Sequence, residues 1–297
     1  MANLHDIRLR MNTITQTLKV TSAMNLISTA KLQKGRNALA NTEPFFKRIQ
    51  KTMAELLHSV GTVESPFFAA NKTGRTAIVA ITSDKGLAGG YNASIYHYVI
   101  DICKNISNPL LILVGSIGPH YFANSPYTVL ENFSFASQFP TLEEASEISD
   151  YVVSQFEWGA FGEVRIVYTH MYNALKLLPA EIMVLPFNEE KLRLSLSGTE
   201  LSKTFEKKPL NFEHIPSPEA ITDALAPHYV RGLFYGCLVE AYASEQSARM
   251  SAMDEASRNA RDILGKQRIS YNHARQAGIT QEVTEIVSGA AALTDAS

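Results

Sequence analysis

The sequence predicts an α/β protein in which two long terminal helices pair as an antiparallel coiled coil and a central α/β domain joins them. Three observations predict this fold. All twelve prolines lie between Pro44 and Pro227, so both ends of the chain lack the residue that most strongly interrupts helices. Apolar residues recur at helical spacing in both ends. Short apolar runs of strand length occur in the middle.

The first segment, residues 1–58, shows the spacing of a coiled-coil helix. Its apolar side chains repeat in alternating steps of three and four, at Leu4, Ile7, Met11, Ile14 and Leu18. This period of 3.5 residues is typical of a seam between paired helices. Farther along the same seam the residues become polar, at Thr21, Asn25 and Ser28.

The last segment, residues 228–297, has a stripe of residues at helical spacing whose side chains become smaller along the chain. Val230, Phe234, Cys237 and Ala241 are followed by Ala248, Ala252, Ala256 and Ala260. Small side chains let two helix axes approach closely. Because neither terminal helix could bury its apolar face alone, we expect the two to wind around each other.

The middle segment, residues 59–227, predicts a Rossmann-like α/β domain with a mainly parallel sheet, because strand and helix patterns alternate. Thr141 and Glu144 form a capping box at the start of one helix. The segment from Asn188 to Pro227 is expected to be loop with a short helix. The remaining expected elements are strands at Thr76–Thr82, Pro109–Val114, Glu163–Tyr168 and Glu181–Phe187, and a helix at Asn92–Lys104.

Composition excludes several classes of protein. The chain is 45% hydrophobic and 19% charged, which suits a folded core and argues against disorder. Its two cysteines, Cys103 and Cys237, form no CxxC pair, so neither a disulfide framework nor a cysteine zinc site is expected. No apolar run reaches the roughly 18 residues that a membrane span needs, and the start lacks the pattern of a signal peptide. Any association with a membrane is therefore expected to occur through partners.

Charge is unevenly distributed although the net charge is only −2. The first 58 residues carry nine lysines and arginines against three acidic residues. Such a basic segment is compatible with nucleic acid, an anionic membrane surface, an acidic protein partner, or simply a solvated helix face.

A search for catalytic chemistry gives a mainly negative result. The one glycine-rich loop after a predicted strand, Ser83-Asp-Lys-Gly-Leu-Ala-Gly-Gly-Tyr-Asn92, matches neither phosphate-binding glycine pattern. Its glycines are better explained by a tight turn, and Asp84 by a turn or capping role. The histidines are scattered, without an HExxH pair. We therefore expect no catalytic residue, cofactor site or metal site.

Motifs at both ends and in the middle resemble the gamma chain family of F-type ATP synthases. The most specific is Ile279-Thr280-x-Glu282-x-x-Glu285-x-x-x-Gly289-Ala290. Ser244 to Asp254, Lys19-Val-Thr-Ser-Ala-Met24 with Ala30-Lys31-Leu32, and the glycine loop are also similar to family blocks, in family order. The resemblance covers essentially the whole chain.

The resemblance implies a rotor shaft that couples ion flow to ATP chemistry in other subunits. The paired helices would pass through a ring of three alpha and three beta subunits. The globular part would sit on the membrane c-ring with the epsilon subunit, at the cytoplasmic face of a bacterial plasma membrane. The chain itself would do no catalysis, bind no nucleic acid and not insert into the membrane.

The resemblance also implies six contact residues. Met24 matches a family position at the beta subunit that affects coupling, and Arg249 matches an arginine that interacts with it functionally. Arg275 and Gln276 match a pair that meets a loop of beta. Thr280 and Glu282 match further coupling positions. Without the resemblance, a solvated helix face would explain each of them.

Three other interpretations stay open on the sequence. A doubly wound α/β enzyme or nucleotide-binding regulator with helical arms would need a ligand site at the strand ends. A nucleic-acid-binding coiled coil would use the basic first segment and show strong salt dependence. A gamma paralogue that has lost its place in the synthase would keep the fold but not the function.

Overall fold

A computed structural model describes residues 4–60, 63–69, 74–135, 139–173, 176–194 and 215–294. The helices are α1 (Leu4–Val60), α2 (Tyr91–Lys104), α3 (Gly118–Phe122), α4 (Leu142–Glu157), α5 (Glu189–Leu194) and α6 (Pro218–Thr294). The strands are β1 (Thr76–Ile81), β2 (Pro109–Val114), β3 (Thr128–Phe133), β4 (Glu163–Met171) and β5 (Leu177–Leu185). A short 3₁₀ turn, Pro66–Phe68, follows α1. The predicted α/β class with long terminal helices is confirmed.

Residue contacts divide the chain into two compact units. Unit 1 comprises Met1–Ser28 and Met250–Ser297, and unit 2 comprises Thr29–Arg249. Both α1 and α6 run through the boundaries of these units. The three sequence segments that we expect as domains, 1–58, 59–227 and 228–297, stay a prediction.

Unit 2 is built on a five-stranded sheet of order β3-β2-β1-β4-β5. Strands β1, β2, β3 and β4 are parallel, and β5 pairs antiparallel with β4. All six residues of β1 are buried, as befits the central strand. Successive side chains of β1 point to opposite faces of the sheet and pack into two different hydrophobic cores. Ile78 and Ala80 pack with α2 and α3, whereas Ala77 and Val79 pack with α1, α4 and α6.

The sequence predicted most of this sheet and missed one strand. Strand β2 has the expected bounds and β1 differs by one residue. Strand β5 begins earlier than expected, at Leu177, because it forms a hairpin with β4; Pro179 is tolerated there on an edge strand. Strand β3 was not predicted, since five of its six residues are exposed and show no apolar alternation.

Helix α6 begins at Pro218, earlier than the expected start near His228. Pro218 occupies the first turn, where a missing N–H costs nothing, and the Ser217 hydroxyl accepts a hydrogen bond of 3.2 Å from the Ala220 amide. The helix then continues through Pro227. Ala226 and Val230 on either side are fully buried, so core packing outweighs the lost hydrogen bond.

Unit 1 consists of two antiparallel helical segments. The Ser257 hydroxyl contacts Thr21 and the carbonyl of Met250 accepts a hydrogen bond of 3.0 Å from the Asn25 amide, so the pairing runs in opposite directions along the two helices. The seam of α1 follows the expected spacing, with Ile7, Thr21 and Ser28 buried.

The seam of α6 differs from the alanine stripe that the sequence indicated. Its less exposed residues follow steps of three and four, at Met253, Ser257, Ala260, Leu264, Gln267, Tyr271, Ala274 and Gly278. A step of four alone drifts around a helix, whereas a repeat of 3.5 keeps one face toward a partner helix.

Candidate functional site

The exposed face of α6 in unit 1 carries four of the six expected site residues. Arg275, Gln276, Thr280 and Glu282 are all exposed and lie off the seam of this helix. The Thr280 hydroxyl donates 2.9 Å to the Gln276 carbonyl one turn earlier, which keeps that hydroxyl close to the helix. The charged and amide side chains around it face outward, where they can reach a partner.

The same segment of α6 also exposes large apolar side chains. Ile279 and Val283 are each 53% exposed, Ile286 is 71% exposed and Val287 is 61% exposed. Their spacing of four, three and one residues places them on a single helical stripe. Contiguous exposed apolar surface of this kind usually marks a contact site.

Met24, the fifth expected site residue, is half-buried in unit 1. Around it α1 exposes Val20, Leu26 and Ile27, at 57%, 71% and 56% respectively. The first helix therefore also leaves apolar surface uncovered by its own chain.

Arg249, the sixth, lies in unit 2 and is only 7% exposed. Its guanidinium donates to the carbonyl of Lys85 at 2.9 Å and to that of Gly86 at 3.1 and 3.3 Å. It also pairs with Glu245 at 2.5 Å, one helical turn earlier. No pattern in the sequence indicates this contact between the C-terminal helix and the glycine loop.

The glycine loop is held on its other sides as well. Asn92 and Ser83 exchange hydrogen bonds of 3.1 and 2.7 Å, and Asp84 accepts from both the amide and the hydroxyl of Ser116 at 2.9 Å. Gly89 adopts φ +58°, a conformation that glycine permits at low cost. These contacts agree with a turn and capping role for Asp84.

A cleft of about 210 Å³ lies beside this loop, at the carboxyl ends of β1 and β2. Lys31, Lys85 and Arg249 line it together with Asp84, Glu144 and Glu245. Burial raises the pKa of the Glu245 carboxyl, although Arg249 opposes this shift. The cleft therefore carries three positive and three negative side chains, among which Arg249 pairs with Glu245 and also holds the loop.

Groups suited to nucleophilic or metal chemistry are few in the described parts of the chain. In those parts, no cluster of three histidine, cysteine or acidic side chains could hold a metal ion. Both cysteines are buried, and burial raises the pKa of the Cys103 thiol to about 11. Within the same described residues, no helix combines the length and apolarity needed to cross a membrane.

Sequence comparison connects this chain to one family. The family described as ATP synthase matches residues 3–293. The chain is 40% identical over 295 residues to the ATP synthase gamma chain of Ruminiclostridium cellulolyticum, which covers 98% of this chain and 99% of that protein. It is 38% identical over 296 residues to the gamma chain of Acetivibrio thermocellus, covering 99% and 100%. A sodium-ion-specific gamma chain of Acetobacterium woodii is 33% identical over 298 residues, covering 98% and 99%.

Solved structures share the fold. A chain in the central stalk and c-ring structure of Tetrahymena thermophila mitochondrial ATP synthase aligns with a TM-score of 0.61 at 26% identity, covering 80% of this chain and 99% of that one. A chain in a Euglena gracilis mitochondrial ATP synthase structure aligns with a TM-score of 0.65 at 15% identity, covering 98% and 94%.

Proposed function

Because the chain belongs to the ATP synthase gamma chain family, we propose that it is the central rotor shaft of an F-type ATP synthase. In this role it couples ion flow through the membrane ring to ATP synthesis or hydrolysis at the beta subunits. The shaft is also needed for assembly and for regulation of activity. The observation that carries the proposal is the exposed apolar surface of the paired helices in unit 1.

That surface is unusual for helices that face water. The seam between the helices is narrow and partly polar, with Thr21 and Ser257 at its buried positions. Large side chains such as Ile286 and Leu26, each 71% exposed, lie outside it. Two helices with this arrangement suit enclosure by other subunits. A ring of alternating alpha and beta subunits supplies such an enclosure.

Polar residues on the same surface suit contacts that form and break with each step. Arg275, Gln276, Thr280 and Glu282 offer a few directional, charge-assisted hydrogen bonds, which can be exchanged as the shaft turns. We assign these residues and Met24 to contacts with beta subunits. Arg249 belongs to the same coupling system through the glycine loop that it holds.

The partners follow from this role. Three alpha and three beta subunits would surround unit 1, while the epsilon subunit and the membrane c-ring would contact the α/β part of the chain. The protein would be peripheral, at the cytoplasmic face of a bacterial plasma membrane. The catalytic sites would lie in beta, and the shaft would change their affinities by favouring one of their conformations over another.

Reconstitution tests the proposal. The purified chain is mixed with alpha and beta subunits from the same source, and both the stoichiometry and ATP hydrolysis are measured. We expect one copy per three alpha and three beta, with hydrolysis well above that of the subunits without the chain. Lack of assembly together with unchanged hydrolysis would contradict it and favour the paralogue or the α/β regulator.

A matched pair of variants locates the contact surface. Arg275→Ala with Gln276→Ala should lower hydrolysis of the assembled complex. Lys104→Ala, which removes an exposed charge from α2, should not change it.

A further inference from the structure

Four polar contacts fasten one face of α6 to the α/β body inside unit 2. The Ser244 hydroxyl donates 2.8 Å to the Thr169 carbonyl, and Glu240 accepts 3.1 Å from the Met171 amide. The Ala241 carbonyl accepts 3.2 Å from the Tyr91 hydroxyl. The fourth contact is that of Arg249 with the carbonyls of the glycine loop. We call this set the helix–sheet joint.

The joint differs in kind from the packing that precedes it on the helix. Val230, Phe234 and Leu238 of α6 contribute apolar side chains to the core below the sheet. Apolar contacts are non-directional, so they oppose separation of the helix from the sheet more than they oppose rotation about its axis. Hydrogen bonds weaken steeply when their angles change, so the joint resists twisting and sliding.

Close approach of the helix buries the bonds of Ser244 and Tyr91, while those of Glu240 and Arg249 are part-buried. Ser244 is fully buried, and Ala241 and Ala243 beside it are each 3% exposed. Small residues on this face bring the helix axis near the strand ends. Because water cannot substitute for a buried partner, breaking such a bond costs more than at the surface.

The receiving side of the joint is itself rigid. Strand β4 ends at Met171, and its residues Thr169 and Met171 accept and donate directly in the joint. The glycine loop is fixed by Asn92 and by the Asp84 contact with Ser116. Leu87 in that loop has φ +64°, a costly conformation for leucine that persists only where the surroundings determine it.

The position of the joint along α6 suggests its role. Glu240 to Arg249 are the last residues of α6 in unit 2, and the helix continues unbroken to Thr294. A torque acting on the helix beyond Arg249 therefore reaches this set of bonds before it reaches the apolar packing at Leu238 and Phe234.

We propose that the helix–sheet joint transmits torque between the C-terminal helix and the α/β body, with Glu240, Ser244 and Arg249 as positioning residues. The inference rests on the proposed rotor function. It assigns the transmission of torque to specific hydrogen bonds. The rotor function alone requires only that the helix be firmly attached. No residue of the joint needs to touch a nucleotide or an ion.

The variant Ser244→Ala tests the joint with little risk to folding, because alanine favours the helical conformation and the substitution adds no atoms to the buried site. The complete synthase carrying it is placed in vesicles, and ATP hydrolysis and ATP-driven ion uptake are measured together, with a pH-sensitive dye and with radioactive sodium. We expect ion uptake per ATP hydrolysed to fall about twofold or more, while hydrolysis is kept, because a weakened joint slips under load.

Matched variants separate the joint from general destabilisation. Ser146→Ala removes a hydroxyl whose exposed hydrogen bond of 2.8 Å goes to the Leu142 carbonyl within α4, and should leave the ratio unchanged. Glu240→Ala should lower the ratio, whereas Glu240→Gln keeps an acceptor for the Met171 amide and should restore most of it. Hydrogen exchange at that amide should rise about tenfold in Glu240→Ala alone.

An unchanged uptake-to-hydrolysis ratio in both Ser244→Ala and Glu240→Ala would overturn the proposal, and faster exchange at Met171 in Glu240→Ala would show that the bond had been broken. A proportional loss of uptake and hydrolysis would also overturn the proposal, since that indicates a purely structural role. Failure of the proposed function looks different: the unmodified chain would then neither assemble with alpha and beta nor stimulate hydrolysis.

Discussion

Ser257 donates a hydrogen bond of 2.7 Å from its hydroxyl to the hydroxyl of Thr21, across the two helical segments of unit 1. The two residues are 3% and 8% exposed, so the pair is shielded from water. Thr21 in turn donates 3.2 Å to the Leu18 carbonyl of its own helix. A buried hydroxyl pair inside a helix seam favours one register of the two helices, because a slip of one residue would separate the two hydroxyls and leave that of Ser257 without its acceptor.

Removing the Thr21 hydroxyl should lower the stability of the chain more than removing the Ser257 hydroxyl. Thr21→Val keeps the shape but leaves the Ser257 hydroxyl without its acceptor, so we expect a loss of about 1–2 kcal/mol in the free energy of unfolding. Ser257→Ala leaves Thr21 bonded to Leu18 and should cost less. Denaturant unfolding of both single variants and of the double variant measures the coupling. A double variant whose loss equals the sum of the two would contradict the pairing.

Two glycines of α6 should respond in opposite directions to alanine. A Cβ at Gly232 would lie 2.2 Å from the Phe46 ring, so Gly232→Ala should destabilise the chain by about 1–3 kcal/mol through overpacking. A Cβ at Gly236 meets nothing within 4 Å. Gly236→Ala should therefore stabilise by about 0.5–1 kcal/mol, since alanine is the better helix former. Thermal unfolding checks both, and equal effects would show that Phe46 does not fill this space.

Glu245 should contribute a specific pH dependence. Burial raises the pKa of its carboxyl above the usual 4.5, so the folded chain holds this proton more tightly than the unfolded chain. Its contribution to stability therefore becomes less favourable as the pH rises above about 4.5, and it stays so above the folded pKa. The melting temperature of the unmodified chain minus that of Glu245→Gln should fall as the pH rises from 4 to neutrality. A rising difference would mean that the ion pair with Arg249 outweighs burial.

The two thiols should be almost unreactive in the folded chain. Cys103 and Cys237 are buried, and burial raises the pKa of both, that of Cys103 to about 11. Because the thiolate is the reactive form, maleimide labelling at pH 7 should reach both residues only in denaturant. Rapid labelling without denaturant would show that one of these sites opens.

The sequence predicted elements where burial imposes a pattern. The runs Thr76–Thr82 and Pro109–Val114 became β1 and β2, because parallel central strands are apolar on both faces. The capping box of Thr141 and Glu144 is present at the start of α4. Strand β3 lacks such a pattern, because it is an exposed edge strand. The early start of α6 was hidden by Pro227, whose usual effect is outweighed by the packing of its neighbours.

The candidate site was much less predictable from physical pattern alone. Arg275 and Gln276 are exposed residues on a helix, and nothing in their spacing separates them from a solvated face. Their assignment came from the resemblance to the gamma chain family and stays a prediction. The Arg249 contact with Lys85 and Gly86 was invisible in the sequence, since it joins residues more than 160 positions apart.

The rotor function is tested most directly by observing whether the chain rotates. Glu157→Cys adds one exposed thiol at the end of α4, and the buried native cysteines should not compete for a label. A bead attached there is observed while the assembled alpha and beta ring is fixed to glass and supplied with ATP. We expect rotation in one direction, in steps that stop when ATP is withdrawn. A bead that stays still while the fixed ring hydrolyses ATP would contradict the rotor function.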